Sequence, residues 1–211
     1  MLGDVLLITD KHRIAGELIV DSILENRKPK FIVAVSGESG SGKSELAHVI
    51  AKLLVAKSIN TKVLHTDNYY STDPLIRTEW RKTNGMEAVG YTEYNWDKLN
   101  ENINAFLAGE KTQMPCIDLV NNQVDMLTTD FSKVEVLVID GLYAIKAEQA
   151  NIRVFIELTY HETKKAQVSR GKEPQNEFRM QVLEREHQVV QSLKHLADFY
   201  INKEYQLVPA K

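Results

Sequence analysis

Apolar positions along the chain follow two periods, and the switches between them mark out the elements. Ile14, Leu18, Ile19, Ile23 and Leu24 recur at helical spacing until Asn26-Arg-Lys-Pro29 ends the run, since proline disfavours helix in the residue before it. A helical arm over residues 1–29 is therefore expected. Phe31-Ile-Val-Ala-Val35 is continuously apolar and rich in β-branched residues, the pattern of a strand covered on both faces, as in a parallel sheet. Glycine-rich sequence follows, after which Leu46, Val49, Ile50, Leu53 and Leu54 return with the helical period. The order here is strand, loop, helix.

Val63-Leu-His-Thr66 is a shorter strand. Residues 71–90 are polar and carry Pro74, Asn84 and Gly85, so they read as a long loop and a substrate-side insertion. A helix over residues 96–107 places Leu99, Ile103, Phe106 and Leu107 on one side, closes near Gly109, and leads into an extended segment over residues 113–118. Val134-Glu-Val-Leu-Val-Ile139 predicts a second central strand that ends in Asp140-Gly141. Val154-Phe-Ile-Glu-Leu158 predicts another, residues 178–196 a long helix with charges interrupting its apolar stripe, and Phe199-Tyr-Ile201 a last strand. Strands alternating with helices indicate an α/β fold whose parallel sheet is covered on both faces.

The chain has 211 residues, which at roughly 150 per domain suggests one compact unit with an appendage. A lone cysteine, Cys116, excludes a disulfide scaffold. Twenty-six basic against 29 acidic residues leave a net charge of −3, which gives no global attraction to nucleic acid or anionic membrane. The opening Met1-Leu-Gly-Asp carries an acid where a signal peptide has positive charge. No run approaches the ~18 apolar residues of a membrane span. A cytoplasmic chain without nucleic-acid or membrane partners is expected; its oligomeric state is left open, a homo-oligomer included.

Gly37-Glu38-Ser39-Gly40-Ser41-Gly42-Lys43-Ser44 has the phosphate-loop spacing of glycine, four residues, glycine, lysine and serine, between a strand and a helix. Its glycines allow successive N–H groups to face phosphate oxygens, and the following helix adds the positive end of its dipole. Lys43 would neutralise the β- and γ-phosphates of ATP, and the Ser44 hydroxyl would ligate Mg²⁺. Asp140 closes an apolar strand where such proteins place the acid of the Mg²⁺ site; the other reading is a turn residue in Asp-Gly.

Asp67, in Thr66-Asp-Asn-Tyr-Tyr70, falls at the end of the second strand, on the sheet edge that holds the loop. A carboxylate there would take the proton of an attacking hydroxyl; a helix N-cap or a water-mediated metal contact are the alternatives. The guanine-reading Asn-Lys-x-Asp sequence is absent. Arg170 and Lys172, between helical stretches and ahead of Pro174, would close over the transferring phosphoryl group or form a solvated loop. His187 and His195 make no zinc spacing and read as surface or packing residues.

Taken in order, Ser36-Gly-Glu-Ser-Gly-Ser-Gly-Lys-Ser44, Asp67-Asn-Tyr-Tyr70, Gly109 with Pro115, Val138-Ile-Asp-Gly141 and Leu196-Ala-Asp-Phe-Tyr-Ile201 resemble the uridine kinase branch of the phosphate-loop (P-loop) kinases, which includes phosphoribulokinase and bacterial pantothenate kinase. The likeness runs from about Phe31 to Leu207. It implies a P-loop NTPase fold with a five-stranded parallel sheet flanked by helices over residues 30–211, Asp67 as catalytic acid-base, and Arg170 and Lys172 in a lid. Where uridine kinases carry a tyrosine and a histidine that read the pyrimidine, this chain has Ile117 and Asn122; where they bind ribose with an aspartate, it reads Val89-Gly-Tyr-Thr-Glu-Tyr94.

The resemblance thus implies a Mg²⁺- and ATP-dependent kinase acting on a hydroxyl of a small molecule, with the pyrimidine-reading groups missing. Tyr69, Tyr70, Arg77, Arg81, Tyr91 and Glu93 are the candidate acceptor-pocket residues. An adenylylsulfate or sugar kinase that sets cations such as Arg77 and Arg81 against an anionic acceptor is the rival enzyme, and an ATP-sensing module without acceptor is the non-enzyme rival.

Overall fold

The computed structural model describes residues 3–121, 123–163 and 176–210; Arg170, Lys172 and Asn122 lie outside the described residues. In chain order the elements are α1 (Asp10–Asn26), β1 (Phe31–Gly37), α2 (Lys43–Ala56), β2 (Thr61–His65), α3 (Arg77–Asn84), α4 (Trp96–Ala108), β3 (Lys111–Asp118), β4 (Gln123–Asp130), β5 (Val136–Asp140), β6 (Ile152–Ile156), α5 (Glu177–Ser192), β7 (Phe199–Ile201) and β8 (Leu207–Pro209). Among the described residues, six strands form one sheet in the order β2-β5-β1-β6-β7-β8. The first five are parallel, as expected. The sixth, β8, returns antiparallel beside β7, an addition that three residues of ordinary sequence did not announce.

Residues alternate across the central strands, and each set meets its own layer of helices. Val33, Val35, Val136, Val138, Val154 and Ile156 pack with Ala15, Ile19 and Ile23 of α1 and with Leu46, Ile50 and Leu54 of α2. Ile32, Ala34, Leu137, Ile139 and Phe155 pack on the opposite face with Leu99, Ile103 and Phe106 of α4 and Val190 of α5. Every residue of β1 and β5 is buried, which is why these segments read as unbroken apolar runs.

Two expectations need correction, and one strand was not expected. The inward face of α1 is Ala15, Gly16, Ile19, Val20 and Ile23, while Ile14, Leu18 and Leu24 are exposed. Gly16 is the cause: a Cβ there would come within 2.6 Å of Val49 Cγ1, so the bare glycine lets the two helices touch and turns that side inward. The polar stretch 71–90 holds α3, whose buried residue is a charged one, Arg81, so no apolar period betrays it. Finally, β4 pairs with β3 in a separate antiparallel ribbon, with Lys111 opposite Asp130 and Asp118 opposite Gln123. Its residues are nearly all exposed, and a strand without a core to face shows no alternation.

Candidate active site

The carboxyl ends of the parallel strands bring the phosphate loop, Asp140 and Asp67 to one edge of the sheet. Strand β1 stops at Gly37, α2 begins at Lys43, and the intervening loop turns through positive φ at Gly37 (151°), Gly40 (77°) and Gly42 (95°). A side chain at Gly37 would press to 2.9 Å against both Ile156 O and Ser41 Oγ, so only glycine permits the loop to lie this close to β6. Lys43 Nζ donates to the Glu38 carbonyl at 2.7 Å, which folds the ammonium back over the loop.

Glu38, Ser39 and Ser41 of the loop each have a supporting partner drawn from far along the chain. The buried Glu38 carboxylate accepts from Tyr160 N at 2.7 Å, from His187 Nδ1 at 2.7 Å and from Gln191 Nε2 at 2.6 Å. Its side chain therefore braces the loop against α5. Thr163 Oγ1 donates to Ser39 O at 3.0 Å, and Tyr205 Oη donates to Ser41 O at 2.7 Å.

Beside the loop, Ser44 Oγ donates to Asp140 Oδ2 at 2.7 Å. The other oxygen of Asp140 lies 2.6 Å from His65 Nδ1, and His65 stands opposite Asp140 in the β2–β5 register. Burial would raise the Asp140 pKa, but the charge and hydrogen bond of His65, the Ser44 hydroxyl and the Lys43 charge outweigh it and hold the carboxyl below its ordinary value. A hydroxyl and an ionised carboxylate are the hard oxygen donors that Mg²⁺ accepts while keeping water and phosphate as its remaining ligands. No cage of three or more His, Cys, Asp or Glu side chains occurs among the described residues, and a site of this kind requires none.

Asp67 sits directly after β2 in a 3₁₀ turn, Thr66–Tyr69, on the same sheet edge, and accepts from Tyr94 Oη at 3.3 Å. The following Tyr70 has the Arg77 guanidinium 3.4 Å from its ring centroid and the Tyr94 ring at 4.2 Å. Burial, then the charges of Asp67 and Glu186, push its phenol well up and keep it neutral. Tyr91, partly exposed, has Lys146 Nζ 4.3 Å above its ring.

Other acceptor-side candidates are committed elsewhere in this conformation. Tyr69 is in the core with its hydroxyl on Asn102 Oδ1 at 2.8 Å. Arg81 forks onto both oxygens of Glu93 at 2.7 and 3.0 Å and reaches Glu186 at 3.4 Å, all three side chains being buried. Burial works against the Arg81 charge, but the Glu93 hydrogen bond and Glu186 more than restore it.

Sequence reasoning missed His65, Tyr94, Tyr143, Glu186 and the brace residues Gln191 and Tyr205; His187, read as a surface or packing residue, packs on Glu38. His65 was findable, as the last residue of a strand that leads to Asp67. Tyr143 follows Asp140 by three residues; it is 1% exposed, its ring stands edge-on to Tyr94 at 5.4 Å, and its hydroxyl has no hydrogen-bond partner among the described residues. The rest depend on tertiary contacts that no local pattern encodes.

The fold and loop define a phosphate-loop α/β protein. The sequence matches the Phosphoribulokinase / Uridine kinase family over residues 32–167, and the chain belongs to that family. Among curated proteins it is similar to the uridine kinase of Ureaplasma urealyticum serovar 10, 28% identical over 136 residues, or 63% of this chain and 64% of that one. The match thus spans slightly less than two thirds of such relatives' length. Among solved structures it is similar to phosphoribulokinase from Rhodobacter spheroides, with a TM-score of 0.64, 11% identity, and 82% of this chain and 70% of that chain covered. It is also similar to D-glycerate 3-kinase from Cryptococcus neoformans var. grubii, with a TM-score of 0.60, 10% identity and coverage of 96% and 99%. At these identities the structural likeness concerns the fold. No helix among the described residues is long and apolar enough to cross a membrane.

Proposed function

We propose that the protein is a Mg²⁺- and ATP-dependent kinase that moves the γ-phosphoryl group to a hydroxyl of a small metabolite. The observation that supports this reading most is the placement of Asp67 on the same sheet edge as the Ser44–Asp140 pair and the loop. The loop amides and Lys43 hold the phosphates. Ser44 and Asp140 would hold the metal, which when bound would supply charge neutralisation to the phosphates. Asp67 accepts the proton of the acceptor hydroxyl as its oxygen bonds to the γ-phosphorus and the bond to the β-phosphate oxygen breaks, releasing ADP. Arg170 and Lys172 are proposed to cover the transferring group.

The acceptor side favours an anionic or polyhydroxylated small molecule over a pyrimidine nucleoside. Arg77 lies against Tyr70, three residues from the proposed base, and Arg77 Nε is buried without a hydrogen-bond partner among the described residues. Ile117 donates its backbone N–H to Asn68 Oδ1 at 3.1 Å and has no polar side chain with which to read a base. An ADP-release assay with uridine, cytidine, pantothenate, adenylylsulfate, sugars and D-glycerate tests both parts. Acceptor-stimulated turnover supports the kinase. Stimulation by uridine and by none of the anionic or sugar acceptors overturns the acceptor assignment, and tight Mg²⁺-ATP binding without stimulation by any of them favours the sensing module.

A further inference from the structure

A hydrogen-bonded chain runs from the N-terminal helix to the phosphate loop. Thr9 N donates to His12 Nδ1 at 3.1 Å, so Nδ1 accepts and the ring carries its hydrogen on Nε2. That nitrogen lies 3.1 Å from Tyr205 Oη, and Tyr205 donates its own hydrogen to Ser41 O at 2.7 Å. His12 and Tyr205 are each 8% exposed and Ser41 1%, so water competes little for these bonds. The two rings meet edge to face at 5.0 Å.

Tyr205 reaches this position at a conformational cost. Its φ is +65°, a left-handed backbone that residues with bulky side chains rarely adopt. The turn between β7 and β8 enforces it: Asn202 O accepts from Tyr205 N at 2.9 Å, and the Asn202 side chain accepts from Glu204 N at 3.1 Å and Gln206 N at 2.8 Å. Strain held in place by its surroundings points to a use for the side chain.

We propose that His12 and Tyr205 are positioning residues for nucleotide binding, acting as a clamp on the Ser41–Gly42 peptide. This rests on the reading of the loop as an ATP site. In a planar trans peptide the C=O and N–H point in opposite directions. A carbonyl of Ser41 pinned outward by Tyr205 therefore turns the Gly42 N–H inward, toward the phosphate side of the loop. The clamp also explains Gly42, where a Cβ would collide with Tyr205 Oη and His12 Nε2. The helix before the family-matched segment and the β7–β8 turn after it are thus parts of the proposed nucleotide site.

The test is calorimetric titration of Mg²⁺-ATP and of adenosine into the full chain, with the Gly42 amide followed by ¹⁵N NMR and hydrogen exchange. Tyr205→Phe keeps the ring and removes the hydroxyl. It is expected to weaken Mg²⁺-ATP by about five- to tenfold, the worth of roughly one hydrogen bond, to leave adenosine unchanged, and to speed Gly42 exchange. His12→Ala should act alike, His12→Gln should restore most of the loss through its amide donor, and His12→Ala should add nothing once Tyr205 is Phe.

Wild-type affinity with an unchanged Gly42 amide in Tyr205→Phe overturns the clamp, as do equal losses for adenosine or independent, multiplying losses from the two sites. If the native chain binds no Mg²⁺-ATP, the nucleotide reading fails instead. The Gly42 exchange rate in Tyr205→Phe then decides whether the peptide is clamped.

Discussion

Glu38 Oε1 and His187 Nδ1 lie 2.7 Å apart across 149 residues of sequence, tying the phosphate loop to α5. The same carboxylate holds Tyr160 N and Gln191. Glu38→Ala would leave a buried backbone N–H and two side-chain donors without their acceptor, at about 1–3 kcal/mol for each buried group left unpaired. Urea unfolding should show a loss of about 2–4 kcal/mol, larger than for Ser39→Ala.

The ion pair between Arg81 and Glu93 predicts that a single change is worse than a double one. Removing one member of a buried pair leaves the other charge uncompensated, at about 3–5 kcal/mol, whereas an apolar replacement of both is far milder. Arg81→Met alone is therefore expected to be less stable than Arg81→Met with Glu93→Leu. Equal stability of the two, by denaturant midpoint, would show that the pair carries no such coupling.

Asp140 fixes a pH dependence. Its folded pKa lies below the ordinary carboxyl value, so the folded state binds that proton less readily than the unfolded chain. The resulting stabilisation is fully present above the unfolded pKa of about 3.9 and is lost as pH falls through the folded one. Stability measured from pH 6 down to pH 3 should fall less steeply in Asp140→Asn than in the native chain.

Asp67 and Lys43 separate chemistry from binding. Asp67→Asn keeps the size and loses the base, so turnover should drop by about 10²–10⁴ while Mg²⁺-ATP affinity holds. Lys43→Ala should instead weaken Mg²⁺-ATP by about 10- to 100-fold, the worth of a charge-assisted contact. Native turnover in the Asp67 variant would remove it from the role of base.

The nucleotide side was legible because its geometry is local: a buried strand, glycines at fixed offsets and an amphipathic helix lie within 26 residues, Phe31–Ala56. Asp67 and Asp140 were legible because each ends a β-rich run at a sheet edge. The acceptor side was not. Helix α3 turns inward a residue that hydropathy scores as surface, Arg81, whose partners Glu93 and Glu186 come from elsewhere. Tyr69 and Tyr70 are neighbours in sequence, yet one is bonded to Asn102 in the core and the other lies under Arg77, a division that only packing makes.

The sheet order carries a practical consequence for anyone trimming this chain. A fragment cut to residues 32–167 keeps the phosphate loop, Asp67 and Asp140 but loses the fifth and sixth strands of the sheet: β7 and β8 are gone, and β6 becomes an open margin ready to pair with a neighbour. It also strips α1 from Val33 and Val35 and α5 from Phe155. Such a piece should precipitate on expression, because the stretch that advertises the protein's ancestry is smaller than the stretch that holds itself together.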